Sequence, residues 1–329
     1  MRRPGSTELD SSPIGLGLAA LGRPGYINIG HGRDLEEGRS VSALEVRSHQ
    51  VLDAAWRRGV RYFDAARSYG RAESFLGSWL RKRGISPVEV TVGSKWGYVY
   101  TADWRVEAET HEVKEHSLDL LRRQWRESKE CLAEYLDLYQ IHSATLDSGV
   151  LENRAVLDEL ARLKSSGVRI GLSASGPGQP EVIDRALDVT VAGVRLFDCV
   201  QATWNLLERS AGPALGRARS AGLGVIVKEA LANGRLTSRN NDPDSGEKLS
   251  LLRRQAERLR TTVDSLALAA VLSQGWLDTV LSGATTVEQL DSNFMALEVP
   301  WDEAAEQALS PLEEPAEDYW RFRKSLNWN

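Results

Sequence analysis

The sequence predicts an α/β protein built as one closed (β/α)8 barrel, and three observations carry that expectation. Eight short β-rich runs alternate with eight longer segments of helical apolar spacing, with no run of consecutive strands. Glycine stands just past several helical segments, in RRG at 57–59, KRG at 82–84, SSG at 165–167 and SAG at 220–222. The 329 residues contain 42% hydrophobic and 26% charged residues, enough for one large core.

In chain order the strands are predicted at 14–18, 60–64, 88–94, 136–142, 168–173, 197–202, 223–227 and 279–282. The helices are predicted at 43–58, 72–83, 111–132, 154–165, 180–189, 211–221, 262–274 and 287–297. Strand followed by helix, eight times over, implies parallel strands joined by right-handed crossovers. The rival architecture is an open doubly wound sheet whose phosphate loop would be GLGLAALG at 15–22. Its spacing is G-x-G-x-x-x-x-G, and GRPGYINIGHGRD follows where a helix would have to begin, so that reading is rejected. Residues 1–12 and 238–247 read as an appended flexible segment and a loop, and 302–329 as a C-terminal extension of the same domain.

Composition narrows the partner. Net charge is -5 and the arginines are interleaved with carboxylates, so neither a nucleic acid nor an anionic membrane surface fits. No run approaches the roughly 20 apolar residues of a membrane span, and no apolar region follows the basic N-terminus, so a cytoplasmic protein is expected. Cys131 and Cys199 belong to no metal or disulfide pattern and read as buried thiols. Trp56, Trp79 and Trp125 fall on helical patterns as packing residues.

Barrel enzymes keep their chemistry at the C-terminal ends of the strands. Asp64 closes VRYFD, Lys95 closes VTVGSK and His142 closes LDLYQIH, with Tyr69 in the loop beyond Asp64. A phenol is a poor acid at neutral pH, but a neighbouring ammonium, itself held by a carboxylate, would lower its pKa. Histidine would orient a carbonyl and stabilise charge on its oxygen. With neither a metal-ligand cluster nor a nucleophile elbow, no metal is expected, and a carbonyl needs a hydride that a cofactor must bring. Any one of these residues alone would read as a cap, a loop aromatic or a solvated charge.

YFDAARSYGRAE, SKWG, DLYQIHSA, GLSAS, VQATWNLLER and SGATTVEQLDSN, in that order, resemble the aldo-keto reductases over nearly the whole chain. The resemblance implies Tyr69 as general acid/base, Lys95 as the group tuning it, Asp64 as the partner of Lys95 and His142 as the substrate-orienting donor. It implies Ser173 and Gln201 at the nicotinamide carboxamide, the loop Ala230–Gly234 (Ala230, Leu231, Gly234) at the pyrophosphate, and Gly283, Thr285, Thr286, Gln289 and Asn293 around the adenosine end. Two positions depart from the pattern: Ala174 replaces the Asn that often follows the Ser, and Lys228 or Glu229 stands where many members stack an aromatic ring. The stretch 283–293 has no basic residue for a 2′-phosphate, and the resemblance favours NADP(H) only slightly, with NAD(H) also fitting. Tyr26, Trp96, Tyr98 and Trp104 are placed at the mouth as substrate contacts, and the tail 319–329 is placed over it. The implied activity is hydride transfer between a nicotinamide and a small carbonyl or alcohol substrate, an aldehyde, ketone or sugar. The alternatives are a cofactor-sensing binding protein on the same barrel and a Schiff-base aldolase using Lys95 or Lys228. Nothing in the sequence specifies an oligomeric state.

Overall fold

The computed structural model describes residues 12–36, 38–241 and 246–329. Eight strands close into an all-parallel barrel: β1 (Ile14–Gly17), β2 (Tyr62–Asp64), β3 (Thr91–Trp96), β4 (Leu136–Ala144), β5 (Arg169–Ala174), β6 (Cys199–Thr203), β7 (Gly224–Lys228) and β8 (Thr279–Ser282). Ile14 pairs with Val280 where the barrel closes, and Lys95 lies beside Gln140 between β3 and β4. The expected fold class is therefore the observed one. The expected flexibility of residues 1–12 concerns, but for Ser12, residues outside those described.

Side-chain alternation sorts the barrel into an inner and an outer layer. Outward residues such as Phe63, Tyr139, Ile170 and Val225 join the helices in the main apolar core, whereas Tyr62, Leu138, Cys199, Ile226 and Leu281 form a separate small cluster. Glycine makes room for Tyr62: a Cβ on Gly93 would lie 2.5 Å from its hydroxyl and one on Gly15 2.9 Å from its ring. The first glycine of GLGLAALG thus serves packing, and no phosphate loop forms there. Gly22 has a similar task, since a Cβ there would stand 2.2 Å from the carbonyl of Tyr69 and would push the catalytic-end loop outward.

Local chemistry explains where the elements differ from expectation. The helix expected from residue 111 begins at Leu118, because Ser117 caps it by accepting from the Leu120 amide at 3.1 Å. The residues before it alternate instead of following a helical period, and Glu112–Lys114 pairs antiparallel with Tyr98–Tyr100 as a hairpin at the barrel mouth. Ser86 and Glu89 form a capping box around Pro87–Glu89, which delays β3 to Thr91. Among the described residues, besides the four-residue helix His31–Asp34, three helices lie beyond the eight expected: Gly246–Arg258, Glu303–Leu309 and Ala316–Ser325. Their apolar faces meet in a second cluster containing Leu249, Leu252, Leu309, Tyr319 and Trp320, which seats the C-terminal segment beside the mouth.

Candidate active site

A cavity of about 830 Å³ opens at the C-terminal ends of the strands, within the size range of small-molecule sites. Strand direction places Asp64 and His142 on its wall and Lys95, fully buried, directly behind Asp64. Asp64 ends β2 with its carboxylate inward, where Lys95 from β3 forms an ion pair with Oδ1 and also donates to the Ala65 carbonyl at 2.9 Å. Both side chains are buried, and such a pair survives only if its remaining lone pairs and protons are satisfied. Here Oδ2 accepts from the Tyr62 hydroxyl at 3.1 Å and from the Gln201 amide at 2.9 Å.

Tyr69 lies over this pair, its ring 4.8 Å from the Lys95 ammonium and its hydroxyl 3.4 Å from His142 Nε2. His142 faces Tyr98 edge-to-face at 4.9 Å, and its Nδ1 is 3.4 Å from the Ser68 hydroxyl. Burial, reinforced by the charges of Lys95 and Lys228, holds the imidazole well below its ordinary pKa, so it is neutral at physiological pH. A neutral ring that accepts from Ser68 at Nδ1 presents Nε2–H to the cavity. The Tyr69 phenol departs from expectation: burial first and the Asp64 charge second hold it well above its ordinary value, against the opposing pull of Arg23. Burial and the Asp64 charge prevail, so the expected acidification is not seen. The phenol therefore stays protonated, the form that a proton donor requires.

The other expected residues divide. Gln201, Ala230, Leu231, Gly234, Gly283, Thr285, Gln289 and Asn293 line the cavity, as do Tyr26 and Tyr98. Ser173 is buried behind the wall, where its hydroxyl accepts from the Ser143 amide at 2.8 Å and holds that residue at a φ of 52°. Thr286 caps the helix Val287–Met295 by accepting from Gln289 N. Trp96 and Trp104 do not line the mouth. Trp96 is fully buried against His116, which hydrogen-bonds the His142 carbonyl at 3.0 Å, while Trp104 packs on Phe75 and donates to the Arg39 carbonyl at 2.7 Å. Both follow Lys95 closely in sequence, but β3 runs on to residue 96 and the hairpin then carries the chain outward.

Sequence reading missed several cavity residues. Arg23 reaches in from the loop after β1, within 5.2 Å of the Tyr69 ring and 4.6 Å of Trp328, and bonds Glu112 at 3.0 Å. Lys228 and Glu229 occupy the expected aromatic position. Burial draws the Lys228 amine down to about 8, and it donates to Thr203 and Ser175 at 2.8 and 3.1 Å. Burial would raise Glu229, but Arg323 from the C-terminal helix, bonded to it at 2.7 Å, outweighs that and holds it near 2. Arg23 and Arg323 carry no local sequence signal, since only tertiary folding brings them here. The tail does line the cavity, through Arg323, Lys324, Leu326 and Trp328.

With this geometry in view, comparison with known proteins decides the family, for the aldo/keto reductase family model matches residues 13–312. The chain belongs to the aldo/keto reductase family. Among curated relatives, it is 28% identical to the D-threo-aldose 1-dehydrogenase of a Pseudomonas species over 93% of this chain and 99% of that one. The NADH-specific methylglyoxal reductase of Escherichia coli is 26% identical, covering 95% and 98% of the two chains. The solved structure of an aldo-keto reductase from Bacillus halodurans, in its holo form, superposes with a TM-score of 0.74 at 22% identity, covering 97% of this chain and 98% of that one. Membership makes the chain an oxidoreductase, in a family that uses nicotinamide cofactors. Among the described residues no helix is long and apolar enough to cross a membrane, and no group of three or more His, Cys, Asp and Glu is placed to hold a metal ion.

Proposed function

We propose that the protein transfers hydride between a nicotinamide dinucleotide and a small aldehyde, ketone, sugar or the corresponding alcohol, with Tyr69 as general acid in reduction and general base in oxidation. The observation that carries this reading is the convergence of Tyr69, His142, Lys95 and Asp64 from three neighbouring strand ends, with the Tyr69 hydroxyl and His142 Nε2 3.4 Å apart at the cavity wall.

The cavity fits such a cofactor. A Cβ on Gly283 would meet nothing within 4 Å, so the backbone after β8 faces open space, and Gln201, Ala230 and Asn293 border the same volume. Gly283–Asn293 would hold the adenosine end, Ala230–Gly234 the pyrophosphate, and Gln201 would lie at the nicotinamide. When bound, the nicotinamide supplies the hydride. The protein's own residues do the rest. His142 Nε2–H and the Tyr69 hydroxyl orient a carbonyl oxygen between them, and the developing alkoxide, a much stronger base than a phenolate, takes the Tyr69 proton. Lys95 lies 4.8 Å from the Tyr69 ring and is positioned to stabilise the resulting phenolate; its pairing with Asp64 keeps it in place. Tyr98, Trp328 and the C-terminal helix narrow the access of water.

Quenching of tryptophan fluorescence on titration with NADH and NADPH tests the cofactor half of the reading, and turnover on a panel of carbonyls tests the rest. Absence of binding by either nucleotide would overturn it.

A further inference from the structure

The segment after β8 meets an unexpected charge. Asp34, on the short helix His31–Asp34 in the loop after β1, reaches across to Gly283–Asn293. Its Oδ2 accepts from the Thr285 hydroxyl and from the Gln289 amide, each at 2.8 Å. Arg239, from the loop after β7, engages both oxygens, at 2.7 Å to Oδ1 and 2.9 Å to Oδ2. Asp34, Arg239, Thr285 and Gln289 all line the cavity, together with the carboxylate-bearing Asp264 and Glu288. Burial alone would raise the Asp34 carboxyl, but the bonds from Arg239, Gln289 and Thr285 outweigh it and keep the group ionised.

There is no basic residue in 283–293, and two of its neutral donors, Thr285 and Gln289, are already turned to a carboxylate. Arg239, the cation that reaches this cluster, is neutralised by the same group. A 2′-phosphate carries nearly two negative charges, so placing it here would set like charges side by side. A ribose hydroxyl, by contrast, is a donor that an ionised carboxylate accepts strongly.

We propose that Asp34 makes the cofactor site selective for NADH over NADPH, accepting from the adenosine ribose 2′-hydroxyl and repelling a 2′-phosphate. This assignment rests on the reductase reading above and reverses the slight lean towards NADP(H) that the resemblance alone implies. It is a specificity role on a loop that the tetrad does not involve.

The test is the ratio of two dissociation constants, measured by fluorescence titration on the full chain and on Asp34→Asn. The wild-type protein should bind NADH about tenfold or more tightly than NADPH, and Asp34→Asn should narrow that ratio by about tenfold, chiefly by tightening NADPH. A loss of loop order in the variant would weaken both nucleotides together and leave the ratio unchanged, which counts against the assignment. A wild-type preference for NADPH overturns it without reference to any variant, and would mean that Arg239 leaves Asp34 for the phosphate. Failure of both nucleotides to bind removes the reductase reading and this assignment with it.

Discussion

Two carboxylates face the same cavity and each gathers one cation and at least two neutral donors, yet they are built in opposite ways. Asp64 sits on a barrel strand, and its partner Lys95 has no exposed side-chain surface; Asp34 sits on a four-residue helix in a loop, and its partner Arg239 is 37% exposed. The first pair is fixed by strand register and cannot open without disturbing the barrel. The second joins two loops, with its arginine partly open to solvent. Chemistry that must hold its geometry is placed on the sheet, and recognition of the removable cofactor is placed on a clasp.

The largest effect expected is at the rigid end. Tyr69→Phe should lower kcat by about 10² to 10⁴-fold while leaving both nucleotide dissociation constants unchanged, because the phenol acts on the proton and not on the cofactor. Steady-state rates beside fluorescence titration read the two quantities separately. Near-normal turnover would remove Tyr69 from its role and erase the distinction between the two ends.

Next comes the buried pair itself. Lys95→Met leaves Asp64 ionised and without its cation in the barrel interior, a change expected to cost about 3–5 kcal/mol of folding stability. Chemical denaturation measures it. A loss below about 1 kcal/mol would mean that Tyr62, Gln140 and Gln201, which all donate to Asp64, suffice without the ammonium.

The same contrast governs what the sequence revealed. The grouping of Asp64, Lys95, His142 and Tyr69 could be read from sequence because the first three come from strands with unmistakable apolar runs and Tyr69 follows Asp64 by five residues, and barrel closure brings those strands side by side. Asp34, Arg239, Arg23 and Arg323 were illegible because they act from loops and from the C-terminal helix, whose spatial neighbours are set by tertiary packing between segments as far apart as residues 34 and 289. Trp96 and Trp104 show the limit from the other side: proximity in sequence to Lys95 suggested the mouth, but β3 turns Trp96 into the core beside His116. The Tyr69 acidity was misjudged for a related reason. Sequence supplies the neighbouring ammonium but not the burial or the Asp64 charge, and these prevail.

Acid should act on the clasp end as well as on the buried His142 and His116 at the barrel end. His31, buried beside Asp34 with neither ring nitrogen bonded among the described residues, is held at about 4 by burial. The unfolded chain protonates near 6.5, so it binds more protons than the folded one between those values, and stability must fall as pH drops from about 6.5 towards 4. The loss is about 3 kcal/mol at most from this residue. Melting curves at pH 7 and pH 4.5 should differ less in His31→Phe than in the wild type; an equal difference would place the acid sensitivity elsewhere.

The smallest effect sharpens the comparison most directly. Arg239→Gln removes the cation from Asp34, the counterpart of Lys95→Met, yet Asp34 keeps its bonds from Thr285 and Gln289. With Arg239 37% exposed but Asp34 only 7%, the pair lies between an exposed one and a buried one, so the stability loss should be about 1–3 kcal/mol, below that of Lys95→Met. The cofactor constants should move as well: with its charge no longer balanced, Asp34 should weaken NADPH further and leave NADH nearly unchanged, as read by the same titration. A stability loss comparable to that of Lys95→Met would show that the clasp is as much a structural element as the barrel pair, and the division of labour between strand and loop would fail.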